Sequence, residues 1–208
     1  KKIIPHATFL TEENTVEQTK GEWQWIIDPL DGTTNFIHQV PIFAISVGLQ
    51  HNDEMVVGVV YELNRNECFY ASKNNGAFLN DNKITVSKTT ALSDSLIATG
   101  FPYYDYDLLE NYIQVFKKLM TSTRGIRRLG SAAIDLCFTA CGRFDAFFEY
   151  SLSPWDVAAG ALILQEAGGE IYDFKGENNW LHGRQILGSN TNISIEIIKI
   201  IKEEFPYK

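Results

Sequence analysis

Two carboxylates three residues apart, Asp28 and Asp31, stand in Trp25-Ile26-Ile27-Asp28-Pro29-Leu30-Asp31-Gly32-Thr33-Thr34-Asn35-Phe36, behind an apolar run and ahead of a glycine and two hydroxyls. Carboxylates and backbone carbonyls are the hard oxygen donors that Mg²⁺ takes, usually with waters and substrate phosphate completing the shell. Gly32 allows a close approach of backbone to ligand, and a helix or turn starting at Thr33 would aim free N–H groups at an anion. The same stretch also reads as an ordinary turn, since Asp-Pro and Asp-Gly are turn dipeptides and Asp31 can cap the next segment. A second acidic position, Asp156 in Ser153-Pro154-Trp155-Asp156, has the pattern of a capped helix start. Capping and metal ligation are compatible there, because a helix N-terminus facing a metal–phosphate site can carry a ligand in its first turn. A third, Thr11-Glu12-Glu13, precedes a polar segment and by itself reads as solvated surface.

The elements that must position these residues are set by apolar periodicity and turn chemistry. Residues 23–27 read as a buried strand, stopped by Asp28-Pro29 because the residue before proline is held extended. Residues 42–50 and 55–63 read as neighbouring strands across the turn His51-Asn52-Asp53, with 67–71 completing a meander. Residues 76–79 and 83–87 read as a further hairpin. From there strands (95–99, 126–129, 144–149, 170–172, 185–189) alternate with helices (106–120, 131–141, 155–167, 193–204). We therefore expect one catalytic domain over residues 1–208, α+β with an antiparallel sheet over 1–120 and α/β over 121–208, in a layered arrangement of sheets and helices.

Bulk properties narrow the function. The 208 residues are 45% hydrophobic, enough for a substantial core without disulfides. A formal charge of −8 argues against nonspecific nucleic-acid binding, which needs Lys and Arg to displace counterions. An acidic chain can still bind an anionic substrate once its carboxylates hold divalent cations, which invert the local field. The apolar runs at 40–49 and 55–61 are too short to span a bilayer. Cys68, Cys137 and Cys141 lack metal-ligand spacing. Cys137 and Cys141 read as small buried helix residues, which fits a reducing cytoplasm. The opening Lys1-Lys2-Ile3-Ile4-Pro5 reads as cut from within a domain.

Together these motifs resemble the inositol monophosphatase family. The resemblance rests on Asp28 to Phe36, preceded by Glu12-Glu13 and followed by Gly130-Ser131-Ala132-Ala133, Pro154-Trp155-Asp156-Val157-Ala158-Ala159-Gly160 and Glu166-Ala167-Gly168-Gly169. It implies an αβαβα layered sandwich of the sugar-phosphatase type, N-terminally truncated here, because family members carry a helical segment before the Glu-Glu loop. That segment supplies an acidic partner for the threonine, a lysine near the metals and part of the usual homodimer packing. It implies two or three Mg²⁺ ions and inhibition by lithium. Glu12, Asp28 and the Leu30 carbonyl would hold one ion, and Asp28, Asp31 and Asp156 a second. Gly32 and Thr33 would offer amides to the phosphate, the Thr33 hydroxyl would orient the attacking water, and Glu149 would hold substrate hydroxyls with Gly130, Ser131 and Ala132 beside it. The implied substrate is a small phosphorylated polyol, most simply an inositol monophosphate. Fructose-1,6-bisphosphate, histidinol phosphate, nucleotide bisphosphates and a role as accessory to the transcription machinery are the family's other options.

Overall fold

A computed structural model describes residues 4–13 and 20–205. Its backbone forms two sheets. The first runs in sequence order, from β1 (Thr8–Thr11) and β2 (Trp23–Asp31) through β3 (Ala44–His51), β4 (Glu54–Glu62), β5 (Glu67–Ser72), β6 (Ala77–Leu79) and β7 (Asn82–Ile84). All neighbours in it are antiparallel except β1 and β2, which pair in parallel with Thr11 opposite Ile27. The second sheet draws on β8 (Leu96–Thr99), β9 (Gly125–Arg127), β10 (Ala146–Tyr150), β11 (Glu170–Tyr172) and β12 (Gln185–Ser189), in the spatial order β11-β12-β10-β8-β9.

Helix composition dictates where each helix lies. In α3 (Ala132–Ala140) every residue is buried, and in α4 (Pro154–Glu166) the run from Val157 to Leu164 is buried on all sides. A helix that is apolar all round must be enclosed, and these two pack on each other between the sheets, α4 against β3, β4 and β5 and α3 against β10. The fit of α4 is tight: a Cβ built on Gly58 of β4 would come within 2.6 Å of the Ala159 carbonyl. By contrast α2 (Leu109–Ser122) and α5 (Ser194–Glu204) bury one face only, through Tyr112, Val115 and Leu119 and through Ile197 and Ile201. They cover the far side of the second sheet, where a separate apolar cluster includes Phe148, Phe174 and Leu187. The described residues thus stack as sheet, helix pair, sheet, helix pair, the expected layered α/β sandwich.

Three expectations need correction. The strand at Trp23 does not stop before Pro29 but continues to Asp31, because proline falls in a bulge where no ladder hydrogen bond is required of it. The residues ahead of Glu12 form β1, a strand for which the sequence reading makes no assignment. The hairpin strands after Gly76 are shorter, ending at Ile84, and α2 starts at Leu109, since Asp107 and Leu108 form a turn before it, closed by the Leu109 amide donating to the Tyr106 carbonyl. Of the opening segment, Lys1, Lys2 and Ile3 lie outside the described residues. No described helix is long and apolar enough to cross a membrane.

Candidate metal and phosphate site

The bulge in β2 decides where its carboxylates point. Asp28 pairs with Ser46 and Asp31 with Ala44, so three steps on β2 match two on β3. In a regular strand, residues three apart face opposite sides; the extra residue restores parity and turns both carboxylates the same way. The Leu30 amide donates to Asp28 Oδ1 at 2.8 Å, fixing the bulge. The Asp31 Oδ2 atom accepts from Ser131 Oγ at 2.5 Å and from the Ala133 amide at 2.8 Å, which ties the end of β2 to the first turn of α3. Ser131 is also the N-cap of α3, accepting from the Ile134 amide at 3.3 Å.

Gly32 is next, with φ 90°, and a Cβ there would meet the Ile42 carbonyl at 3.0 Å and the Gly130 carbonyl at 3.3 Å. Only glycine suits both the conformation and the space. It opens the short helix α1 (Thr33–Ile37), as expected of a helix or turn from Thr33. The Thr33 hydroxyl donates to the Leu30 carbonyl at 2.9 Å. Asn35, for which the sequence pattern suggests no role, is buried and donates to the Ile42 carbonyl (2.9 Å) and the Leu129 carbonyl (2.8 Å), locking α1 to the segment leading into α3.

The other carboxylates arrive from distant elements. The parallel register of β1 and β2 carries Glu12 alongside Asp28, with the Glu12 amide donating to the Ile27 carbonyl at 3.3 Å. Asp156, at the third position of α4, accepts from the Ser153 amide at 2.7 Å, so the capping expected there is present. Glu149 lies on β10 with its carboxylate packed against Gly100. One cavity of about 340 Å³ brings together Glu12, Asp28, Leu30, Asp31, Gly32, Thr33, Gly130, Ser131, Ala132, Glu149 and Asp156. Every site position singled out from the sequence therefore lines the same space. Sequence reasoning missed Tyr103, Arg128 and Arg184, which also line it and sit in no motif.

Charge in this cavity is unbalanced. Five carboxylates face two guanidiniums. Burial holds Asp28 and Asp31 well above the ordinary carboxylate range; for Asp28 the neighbouring Asp31, Glu12 and Asp156 add to the rise, while for Asp31 the bonds from Ser131 and Ala133 oppose it. Asp156 is pushed up to about 7, by burial first and then by Asp31. Glu149 is also held well above the ordinary carboxylate range, by burial first and then by Asp156. Behind them Asp135 is fully enclosed, raised by burial and by Glu149, and its Oδ1 has no hydrogen-bond partner. Such a set is costly to ionise without cations. Each of Asp28, Asp31 and Asp156 engages one oxygen in the hydrogen bonds above and keeps its second oxygen out of them, which suits hard oxygen ligation. Among the described residues, no three acidic, His or Cys side chains are already closed into a metal-ligand cluster; the donors stand around the cavity.

Known proteins resemble this chain over nearly its whole length. The model of the inositol monophosphatase family matches residues 1–204. The putative Nus factor SuhB of Neisseria meningitidis serogroup B is 45% identical over 97% of this chain and 77% of its own length. The inositol-1-monophosphatase of Rhizobium meliloti is 41% identical over 100% and 78%. The solved inositol monophosphatase of Anabaena superposes with a TM-score of 0.93 at 39% identity, covering 99% of this chain and 82% of that one. The chain belongs to the inositol monophosphatase family.

Proposed function

We propose that this chain hydrolyses phosphate monoesters of small polyols, inositol monophosphate being the simplest, in a reaction that depends on Mg²⁺. The observation that carries the reading is the meeting of Glu12, Asp28, Asp31, Asp156 and Glu149 in one cavity with too little positive charge to balance them. Glu12, Asp28 and the Leu30 carbonyl would hold one ion, and Asp28, Asp31 and Asp156 another, a third being a family expectation. When bound, the ions supply positive charge to the phosphate and acidify a coordinated water.

The chain's own residues do the rest. The Gly32 and Thr33 amides, at the start of α1, offer hydrogen bonds to phosphate oxygens. Because the Thr33 hydroxyl spends its proton on the Leu30 carbonyl, its oxygen faces the cavity as an acceptor and orients a water for attack. Asp31 holds the N-terminus of α3 in place through Ser131 and Ala133, so that Gly130, Ser131 and Ala132 form a fixed wall. Glu149 receives substrate hydroxyls. Lithium inhibition, a homodimer and a cytoplasmic location accompany this reading as family expectations.

A second reading is favoured by the name of the Neisseria relative, a putative Nus factor, and is a role as accessory to transcription. Asp28→Asn separates the two. Phosphate release from inositol monophosphate in Mg²⁺ should fall by at least about a hundredfold. Near-normal turnover at saturating Mg²⁺ sinks the metal assignment, and a cellular phenotype that persists after turnover is abolished favours the accessory role.

A further inference from the structure

The phosphatase reading uses the cavity's carboxylates and leaves its cations without a task. Among the described residues, only Arg128 and Arg184 bring positive charge to the lining. Arg128 lies over the Tyr103 ring, 5.6 Å from its centroid, and donates to the Tyr103 hydroxyl. Its charge also opposes the rise in Glu149 and Asp135. Arg184 has a neutral partner: its Nη2 donates to Ser151 Oγ at 3.1 Å, and it makes no ion pair among the described residues.

The backbone under Arg184 is unusual. Arg184 has φ 61° and Ser151 has φ 68°, and the Leu152 amide donates to the Arg184 carbonyl at 3.3 Å, so two left-handed residues are tied together at the rim. A long side chain there is disfavoured against glycine. The cost is borne where the side chain reaches the cavity, beside an exposed opening. Ser151 follows the end of β10 two residues after Glu149, and Arg184, Ser151 and Glu149 line the same cavity.

We propose that Arg184, with Arg128 on the same opening, forms an anion subsite, so that the preferred substrate is a polyol phosphate whose leaving group carries a second anionic group. This inference rests on the phosphatase reading. A planar guanidinium fork matches either a phosphate or a carboxylate.

The test uses the full chain with Mg²⁺ and two matched pairs of esters. Fructose 1,6-bisphosphate against fructose 1-phosphate probes a second phosphate, and 6-phosphogluconate against glucose 6-phosphate probes a carboxylate. The readout is the ratio of kcat/KM within each pair. Wild type should favour the doubly anionic member by about tenfold or more in at least one pair, the order expected of one charge-assisted contact. Arg184→Gly relaxes the backbone, so folding is not the confounder, and should cut that ratio about tenfold; Arg184→Lys should retain part of it. A wild-type ratio near one in both pairs, or an equal ratio in wild type and Arg184→Gly, overturns the subsite. If no ester is hydrolysed, the phosphatase reading fails, and the subsite is decided by thermal shift. Greater stabilisation by the doubly anionic members, lost in Arg184→Gly, upholds it, and equal stabilisation overturns it.

Discussion

Replacing Asp156 by Asn should make the cation-free protein more stable while depriving the site of a ligand. Asn can still accept from the Ser153 amide, so the start of α4 keeps its cap. What disappears is a buried charge. The Asp156 carboxyl titrates near 7 in the folded chain against 3.8 for the unperturbed group, so the folded state binds the proton more tightly than the unfolded state. Stability is therefore undiminished below about pH 4, falls as pH rises toward 7, and stays low above it. At ~1.36 kcal/mol per pH unit, the full penalty is about 4 kcal/mol, or on the order of 10 °C in Tm for a chain of this size. Thermal melts of wild type and Asp156→Asn in chelator, from pH 5 to pH 8, should diverge steadily and then run parallel. In Mg²⁺ the wild-type penalty should be relieved and the variant should gain less. Identical pH dependence of the two proteins in chelator would refute the claim that Asp156 is an uncompensated charge.

Two further substitutions test how the site is supported. Glu166 closes α4 and accepts from the amides of Asn74 (2.7 Å) and Gly76 (2.8 Å) in the turn after β5; Glu166→Ala should lose about 2 kcal/mol in urea unfolding with phosphate release near wild type. Gly58→Ala pushes a methyl at the Ala159 carbonyl and should cost about 1–3 kcal/mol by thermal melting, because the backbone of α4 cannot yield as a side-chain end would.

Much of the architecture is legible in the chain because it depends on short-range pattern. The strands at Glu170–Tyr172 and Gln185–Ser189 are flagged by apolar runs between turn residues, and α4 by Ser153, Pro154 and Asp156 at its start. The site motif is equally visible as residue types, yet its geometry is not. Proline suggests a stop at Asp28, whereas the bulge that lets Asp28 and Asp31 share a face depends on what β3 presents opposite. β1 is four residues on a sheet edge, paired in parallel, and its sequence Thr8-Phe9-Leu10-Thr11 gives no alternation to read. Glu12 accordingly looks like solvated surface until the β1 register sets it beside Asp28. Arg184 stands where turn chemistry favours glycine, and Gly183 next to it draws the eye instead.

The order of strands has a consequence for how the molecule is assembled. From β2 to β7 each strand lies beside its sequence neighbour, and the link from β3 to β4 is made by Asn52 and Asp53, both in the left-handed conformation suited to a tight hairpin. Such a sheet can zip locally, with little loop entropy lost at each step. The second sheet interleaves its strands out of sequence order and requires α3 and α4 to be in place between the layers. Asp28 and Asp31 belong to this locally connected sheet, whereas Asp156 meets them only through the packing of α4 on it. The full set of carboxylates exists only in the assembled fold, so a cation that recognised only that set would draw the chain toward its finished form by mass action.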